Sequence, residues 1–451
     1  MFPVMHRAGP RRWSRTVAHL VIALLALPAC ASSQSPAAPP RDSLRLGTLL
    51  DAVERGSPRL EAARATARAA RARVPGVTRP PDPQFQVGWM NYELPGLRPM
   101  DVLGMTQVQL MQMVPVAGKL RLAGEAETAR ADASATRVMD VSLDLRARAS
   151  MIFYDIYVAD GTLGVARDTK RLLQEISDLA AKMYQVGEGR QADVLRADVE
   201  LARMQEDIIR METMRTTMAA RLNALLAAPS DAAVGAPQLP RFPAALPTLD
   251  SLAQLAERHR PMLRAGEQDV EAADASARLA QREIWPDVQV GVQLGTQGGA
   301  MGPQRMGSLM VGASLPVFAG SRQLQMREEA SAMRAMAAAE LASMRADTRG
   351  AVGEARADLV RARRLTELYR TSVLPQAEAT VTSSLASYRV GSVNFMTLLD
   401  AQMTLNRYRQ ELVTLEAEEG KAWATLEMLT GRVLVDARSA QPARPAGEPR
   451  R

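Results

Sequence analysis

Two periodicities alternate along this chain. Residues 44–74 are alanine-rich with apolar positions at helical spacing, and 249–284 repeat that pattern. Asp250 and Ser251 are the expected N-cap residues of the second stretch. Each helical stretch is followed by two short alternating segments, 84–89 with 106–114, then 287–294 with 308–315. Phe85, Val87 and Trp89 share one face, while Gln84, Gln86 and Gly88 share the other. Val288, Val290 and Val292 stand in the same way against Gln289, Gly291 and Gln293. A period of two predicts strands. The stretches 91–105 and 295–307 are Gly/Pro-rich or long enough to be hairpin loops. Such modest alternation suits either an ordinary half-buried hairpin or the strands of a membrane β-barrel. Neither strand pair is stable alone.

After each strand pair the helical period returns and persists. No proline occurs between Gly118 and Ala228, and only Pro375 occurs between Gly320 and Gly431. Glycines near 187–189 and at 391 interrupt the two stretches, where a left-handed turn can reverse a helix. Ser392-Val393-Asn394 can cap the helix that follows. Each half therefore predicts a hairpin of two helices, the first of about 65 residues and on the order of 100 Å long. A globular core needs no helix of that length, so the hairpins must bridge something. Alanine along both lets helices approach closely, as in coiled coils.

The two halves are one unit written twice. Tyr184-Gln185-Val186-Gly187 returns as Tyr388-Arg389-Val390-Gly391, a shift of 204 positions. At that shift Leu195 and Ala197 meet Leu399 and Ala401, Leu201 meets Leu405, and Leu222 and Leu225 meet Leu426 and Leu429. Upstream, 83–88 resembles 286–291, Pro115-Val-Ala-Gly118 resembles Pro316-Val-Phe-Ala-Gly320, and Pro58 finds Pro261. An internal repeat governs the fold before local detail does. The expected organisation is a repeat over 43–228, a linker over 229–248, a second repeat over 249–432 and a disordered tail over 433–451.

Residues 1–29 read as a secretory signal: Arg7, Arg11, Arg12 and Arg15 precede a short apolar run over 20–27. Cys30 is the single cysteine, so no intramolecular disulfide exists. A lone cysteine is commonly a small buried residue, but this one follows the signal and precedes a Ser/Pro/Ala-rich linker, 30–42. That context resembles a bacterial lipobox, which implies a covalent lipid on Cys30, although Pro28 is not the usual residue inside the motif. The net charge of +7 is spread along the chain, and aromatic residues make up only 4%. Neither points to nucleic acid.

No other apolar run reaches the roughly 20 residues of a membrane-spanning helix. An exported chain of this kind can cross a membrane only through strands. Four strands cannot close a barrel, and every strand edge inside a bilayer must be paired. Several chains must then pool their strands above a bundle of long helices.

The chain resembles the TolC-type outer membrane factors, outer membrane efflux proteins that include lipoproteins and a heavy-metal branch. The residues that carry the likeness are Tyr388-Arg-Val-Gly391, 395–402, Leu405, Tyr408 and 423–431, with the weaker copy at 184–226. The resemblance implies a mainly α fold with a small β part. It implies a homotrimer with a twelve-stranded outer membrane barrel, continued by a helical tunnel through the periplasm. The implied function is that of a passive outer membrane channel of a tripartite efflux system, working with a periplasmic adaptor and an inner-membrane pump. No enzyme activity and no cofactor beyond the lipid are expected.

In that family the helix-hairpin tips form a closed periplasmic entrance. By motif position, Asp400 is the candidate for an acidic entrance ring, and Tyr388 could latch the gate by a hydrogen bond to Asp193. Thr397 stands where a second carboxylate would be, which leaves three charges in a trimer instead of six. Alternatively Tyr388 packs its ring on the neighbouring hairpin, and Asp193 and Asp400 are solvated surface charges. Gly187 and Gly391 are turn formers at tips where the family meets its adaptor.

Among 25 methionines, Met90, Met100, Met105, Met111 and Met113 surround the first strand pair, and Met301, Met306 and Met310 the second. Thioethers suit Cu(I). Methionine is also a common apolar filler, and no tight ligand spacing appears. The surroundings 80–91 and 112–119 look more like the heavy-metal branch than the drug branch, and the cargo stays open between metal ions and drugs. Two of three histidines lie in the signal, so no zinc site is visible, and His259 between Arg258 and Arg260 is expected to be exposed. No nucleophile–base set or phosphate loop supports an enzyme. A periplasmic adaptor is the competing reading, but adaptors carry one helical hairpin where this chain carries two.

Overall fold

The computed structural model describes residues 43–93, 95–96, 98–99, 105–297 and 302–437. The expected signal, Cys30 and the linker to 42 lie outside the described residues, as do Met100 and Met301. The first repeat contains β1 (Leu44–Arg45), α1 (Leu46–Gly56), α2 (Pro58–Val77), β2 (Gln84–Met90), β3 (Tyr92–Glu93), β4 (Arg98–Pro99) and β5 (Met105–Val114). It ends in the helical hairpin α3 (Lys119–Gln185) and α4 (Gln191–Leu225). In the connection, β6 (Pro237–Gln238) pairs in parallel with β1. The second repeat contains α5 (Leu249–His259), α6 (Pro261–Arg282), β7 (Val288–Gln297), β8 (Gln304–Ala313), α7 (Gln323–Leu368), α8 (Leu374–Arg389) and α9 (Phe395–Thr430).

Several local expectations are corrected. Each opening helical stretch is two helices, not one, because Ser57 and Arg260 are extended ahead of Pro58 and Pro261. Proline crowds the residue before it out of the helical region, then starts the next helix without needing its own N–H. The cap of α5 is Thr248, whose hydroxyl accepts the Ser251 N–H at 3.2 Å, and not Asp250 or Ser251. β8 starts at Gln304 and stops at Ala313, short of Leu315, and β7 continues to Gln297. Backbone pairing persists there through Thr296–Arg305 and Gln297–Gln304, where the apolar alternation has already faded.

The α3 helix has 67 residues and no break. Its counterpart divides into α7, a five-residue π-turn (Tyr369–Val373) and α8. Pro375 lacks the N–H that would continue the ladder, and the Leu374 N–H bonds the Tyr369 carbonyl five residues back.

The four long strands form one antiparallel sheet in the order β2-β5-β7-β8, which joins the two repeats through β5 and β7. Its register sorts the side chains by face, with Thr106, Thr296, Arg305 and Gln112 toward the ends of the apolar one. Phe85, Leu110, Val292 and Leu309 form one cross-strand row, and Val87, Val108 and Leu294 continue the same face. On the opposite face Gln86, Gln109, Gln293 and Ser308 line up. The apolar face is uncovered: Phe85 is 65% and Leu309 73% exposed. Among the described residues, β2 and β8 have no partner on their outer edges.

The helices supply the core. Leu49, Val53, Ile156 and Leu222 pack in one cluster, and their repeat equivalents Leu252, Ala256, Leu359 and Leu426 pack in another. Gly420 on α9 lets the Tyr154 ring of α3 lie against its backbone; a Cβ there would sit 2.3 Å from two ring carbons. Where strands meet helices, Lys119 is buried and its Nζ donates to the Trp285 carbonyl at 2.8 Å and Asp287 at 2.9 Å. This ties the start of α3 to the entry of β7.

The chain does not leave the body at 433. The half-buried Glu427 carboxylate accepts the Leu434 and Val435 N–H groups at 2.8 Å each, and the Gly47 N–H reaches the Ala437 carbonyl at 3.1 Å. Burial raises the Glu427 pKa, opposed in part by those two backbone donors. His259 is half-buried, not exposed, with Nε2 3.3 Å from Arg432.

Substituting Gly420→Ala is expected to cost about 1–3 kcal/mol, because a methyl group must displace the Tyr154 ring in a packed interface. A lowered midpoint for thermal loss of helical circular dichroism checks this, and an unchanged midpoint contradicts the contact.

Candidate functional site

Two regions collect the residues singled out in the sequence: the sheet and the tips of the helical hairpins. At the tips, Gly187 and Gly391 have φ of +81° and +69°, the left-handed geometry that ends each first helix. The Gly187 N–H bonds the Tyr184 carbonyl at 3.1 Å, and the Gly391 N–H bonds the Tyr388 carbonyl at 3.0 Å. Beyond the turn the copies differ. Asn394 caps α9 by accepting from the Thr397 N–H at 2.9 Å, whereas Arg190 gives α4 no side-chain cap.

Tyr388 and Tyr184 have diverged as well. Tyr184 is 48% exposed, and Tyr388 is 5% exposed. The Tyr388 ring sits edge-on to Phe395, with centroids 5.9 Å apart. Both belong to an apolar cluster with Leu173 and Ile176 of α3 and Ala197 and Met204 of α4. The ring therefore packs between the two hairpins. Among the described residues of this one chain, no hydrogen bond joins Tyr388 to Asp193. The two still sense each other: burial raises the Tyr388 phenol pKa, and the Asp193 carboxylate pushes it further up.

Asp193 lies half-buried in the first turn of α4, where its charge favours the helix N-terminus. Asp400 is exposed on α9. It lines a groove of about 460 Å³ between α8 and α9, with Thr380, Ser384, Thr397 and Tyr408. Asp400 and Asp193 are not brought together within the chain. The sequence reading missed Val186 and Val390, which stand 71% and 78% exposed at the two tips. Their signal was legible: an apolar residue directly before the turn glycine in both copies.

Among the described residues, no group of three or more His, Cys, Asp or Glu side chains could hold a metal ion. Nor is any described helix long and apolar enough to cross a membrane.

The family model of the outer membrane efflux proteins matches residues 49–228 and again 252–432. No curated protein matches the chain by sequence. Among solved structures, the chain is similar to the outer-membrane channel OprN, with 20% identity and a TM-score of 0.74 over 88% of this chain and 95% of that one. It is similar to CusC at 18% identity and a TM-score of 0.75, covering 86% and 92%. For the outer membrane protein VceC from Vibrio cholerae the values are 17%, 0.74, 86% and 96%. At these identities the likeness is one of fold.

Packing, not a hydrogen bond, defines Tyr388 here. Tyr388→Phe is therefore expected to hold stability within about 1 kcal/mol, while Tyr388→Ala opens a cavity worth about 3–5 kcal/mol. In an alkaline spectrophotometric titration the Tyr388 phenol should ionise above the ordinary range. Asp193→Asn should move it only part of the way back, since burial is the larger cause. Stability contributed by the neutral phenol is present below the unfolded-state pKa and is lost as pH rises through the raised folded one. Equal destabilisation by the Phe and Ala variants would contradict the packing role.

Proposed function

The chain belongs to the outer membrane efflux protein family, and from that premise we propose that it is the passive outer-membrane conduit of a tripartite efflux assembly. The family places it in the outer membrane, extending into the periplasm. The observation that carries the reading is the sheet: an uncovered apolar face, a neutral polar face, and two open edges. Inside a bilayer those edges must be paired, and β8 of one copy against β2 of the next satisfies both. Three copies then close twelve strands, with Phe85, Leu110, Val292 and Leu309 facing lipid and the glutamines facing the channel. A lipid on Cys30 would add a second anchor to the same membrane.

The hairpin tips serve in this reading as the periplasmic entrance and the adaptor-docking end. Exposed Val186 and Val390 beside Gly187 and Gly391 give an adaptor an apolar contact at each tip. Asp400, exposed on α9, contributes one charge per copy to the entrance ring. Tyr388, packed on Phe395 between α3, α4 and α9, holds the two hairpins of one copy in register. Energy comes from an inner-membrane pump, and the cargo is a drug or a metal ion. The adaptor reading is set aside, since each of two hairpins here follows two strands of a shared sheet.

Detergent-extracted protein reconstituted in a planar bilayer tests this directly. Low wild-type conductance that rises in Asp400→Ala, or loses cation preference, is the expected result. Pores indifferent to the substitution would retain the channel and remove Asp400 from its mouth. The absence of pores from assembled protein would overturn the conduit itself.

A further inference from the structure

The methionines of the sheet sort to one side. Met90, Met105, Met111, Met113, Met306 and Met310 all stand on the glutamine-bearing face, and no strand methionine stands among the valines and leucines opposite. Methionine used only as apolar filler would favour the lipid-facing side, where Phe85, Leu110 and Val292 already sit.

Register divides these residues into two groups, one gathered over Gly291 of β7 and one built on the direct cross-strand pair of Met90 and Met105. In one row Met111 and Met310 flank Gly291, and Met113 is the next inward-facing residue along β5. A Cβ on Gly291 would lie 2.9 Å from Cγ of Met111 and 3.6 Å from Cε of Met310, so both side chains lean over the same empty position. Toward the hairpin loops Met90 pairs directly with Met105. The Met105 methyl group reaches to 3.1 Å from the Cβ position of Gly295, whose cross-strand partner is Met306. Between the groups Gln107 and Gln293 hydrogen-bond across the strands. This face of the four strands carries glutamine, methionine, glycine and Ser308, with no carboxylate and no cation.

We propose that this face carries two thioether stations for a soft monovalent cation of the Cu(I) or Ag(I) class, Met111–Met310 and Met90–Met105. The assignment deepens the conduit reading and rests on it for the inward direction of the face. Thioether sulfur is a soft ligand that favours Cu(I), whereas hard divalent cations favour oxygen sites with carboxylates, of which this face has none. Neutral donors also bind without trapping, and two successive stations let an ion hand over along a pore.

The test uses full-length detergent-extracted protein and Ag(I), supplied as nitrate, as the probe. Wild type is compared by calorimetric titration with Met111→Leu/Met310→Leu, Met90→Leu/Met105→Leu and the fourfold variant. Leucine conserves volume, so the sheet is retained. Cys30 and all remaining methionines are common to every sample and cancel in the comparison. Loss of part of the Ag(I) uptake in each double variant, and of their sum in the fourfold variant, is the expected result. Equal uptake in wild type and the fourfold variant, or no uptake in wild type, overturns the stations. Single-channel conductance in potassium nitrate, recorded on the same samples, separates the two ideas. Normal pores without Ag(I) binding would sink the stations alone, whereas missing pores would remove the conduit.

Discussion

An unpaired backbone edge next to an apolar surface is the constraint from which the rest of the molecule follows. The outer edges of β2 and β8 each present a row of N–H and C=O groups, and the face between them is lined by exposed Phe85, Val87, Leu309 and Val311. In water such a sheet would be an aggregation template; in lipid each unsatisfied group costs several kcal/mol. Only closure with further copies removes both penalties together. The helices answer to the same demand, because a pooled barrel of three sheets needs something to set their spacing. Lys119 makes that link within one chain, since its buried ammonium bonds Trp285 and Asp287 across the point where helix becomes strand.

Duplication explains why the two halves share a core, and divergence explains why the tips differ. Ile156 and Leu359, or Leu222 and Leu426, occupy equivalent places because each hairpin must pack against its own short helix, α1 or α5. At the tips the second copy carries more order: Asn394 caps α9, and Tyr388 is buried against Phe395, while Arg190 and Tyr184 do neither. The π-turn adds a further difference, since Pro375 widens the second long helix where α3 runs unbroken.

Much of this was legible in the sequence because the physical signals were local. A period of two placed the strands, proline-free stretches placed the long helices, and glycines at 187 and 391 placed the turns. The helix breaks at Ser57 and Arg260 were also written locally, in Pro58 and Pro261, but alanine periodicity masked them. What could not be read was nonlocal. Nothing in the segments themselves says that β5 pairs β7, that Glu427 folds the chain back over 434–435, or that Tyr388 meets Phe395 and not Asp193. These depend on which surfaces meet after the helices have packed.

The methionine pattern lies between those cases, and it shows how alternation and register carry different information. Alternation within β5 already sets Met111 and Met113 apart from Val108 and Leu110. It does not say that Met310 of β8 shares a row with Met111, because that requires β7 to intervene in one register. A slip of one residue would turn Met310 toward lipid and place Leu309 among the glutamines. Burial of the opposite face in lipid forbids that slip, since every valine and leucine of the strand would then face water. The grouping of thioethers over Gly291 is thus enforced by the apolar residues on the other side of the sheet.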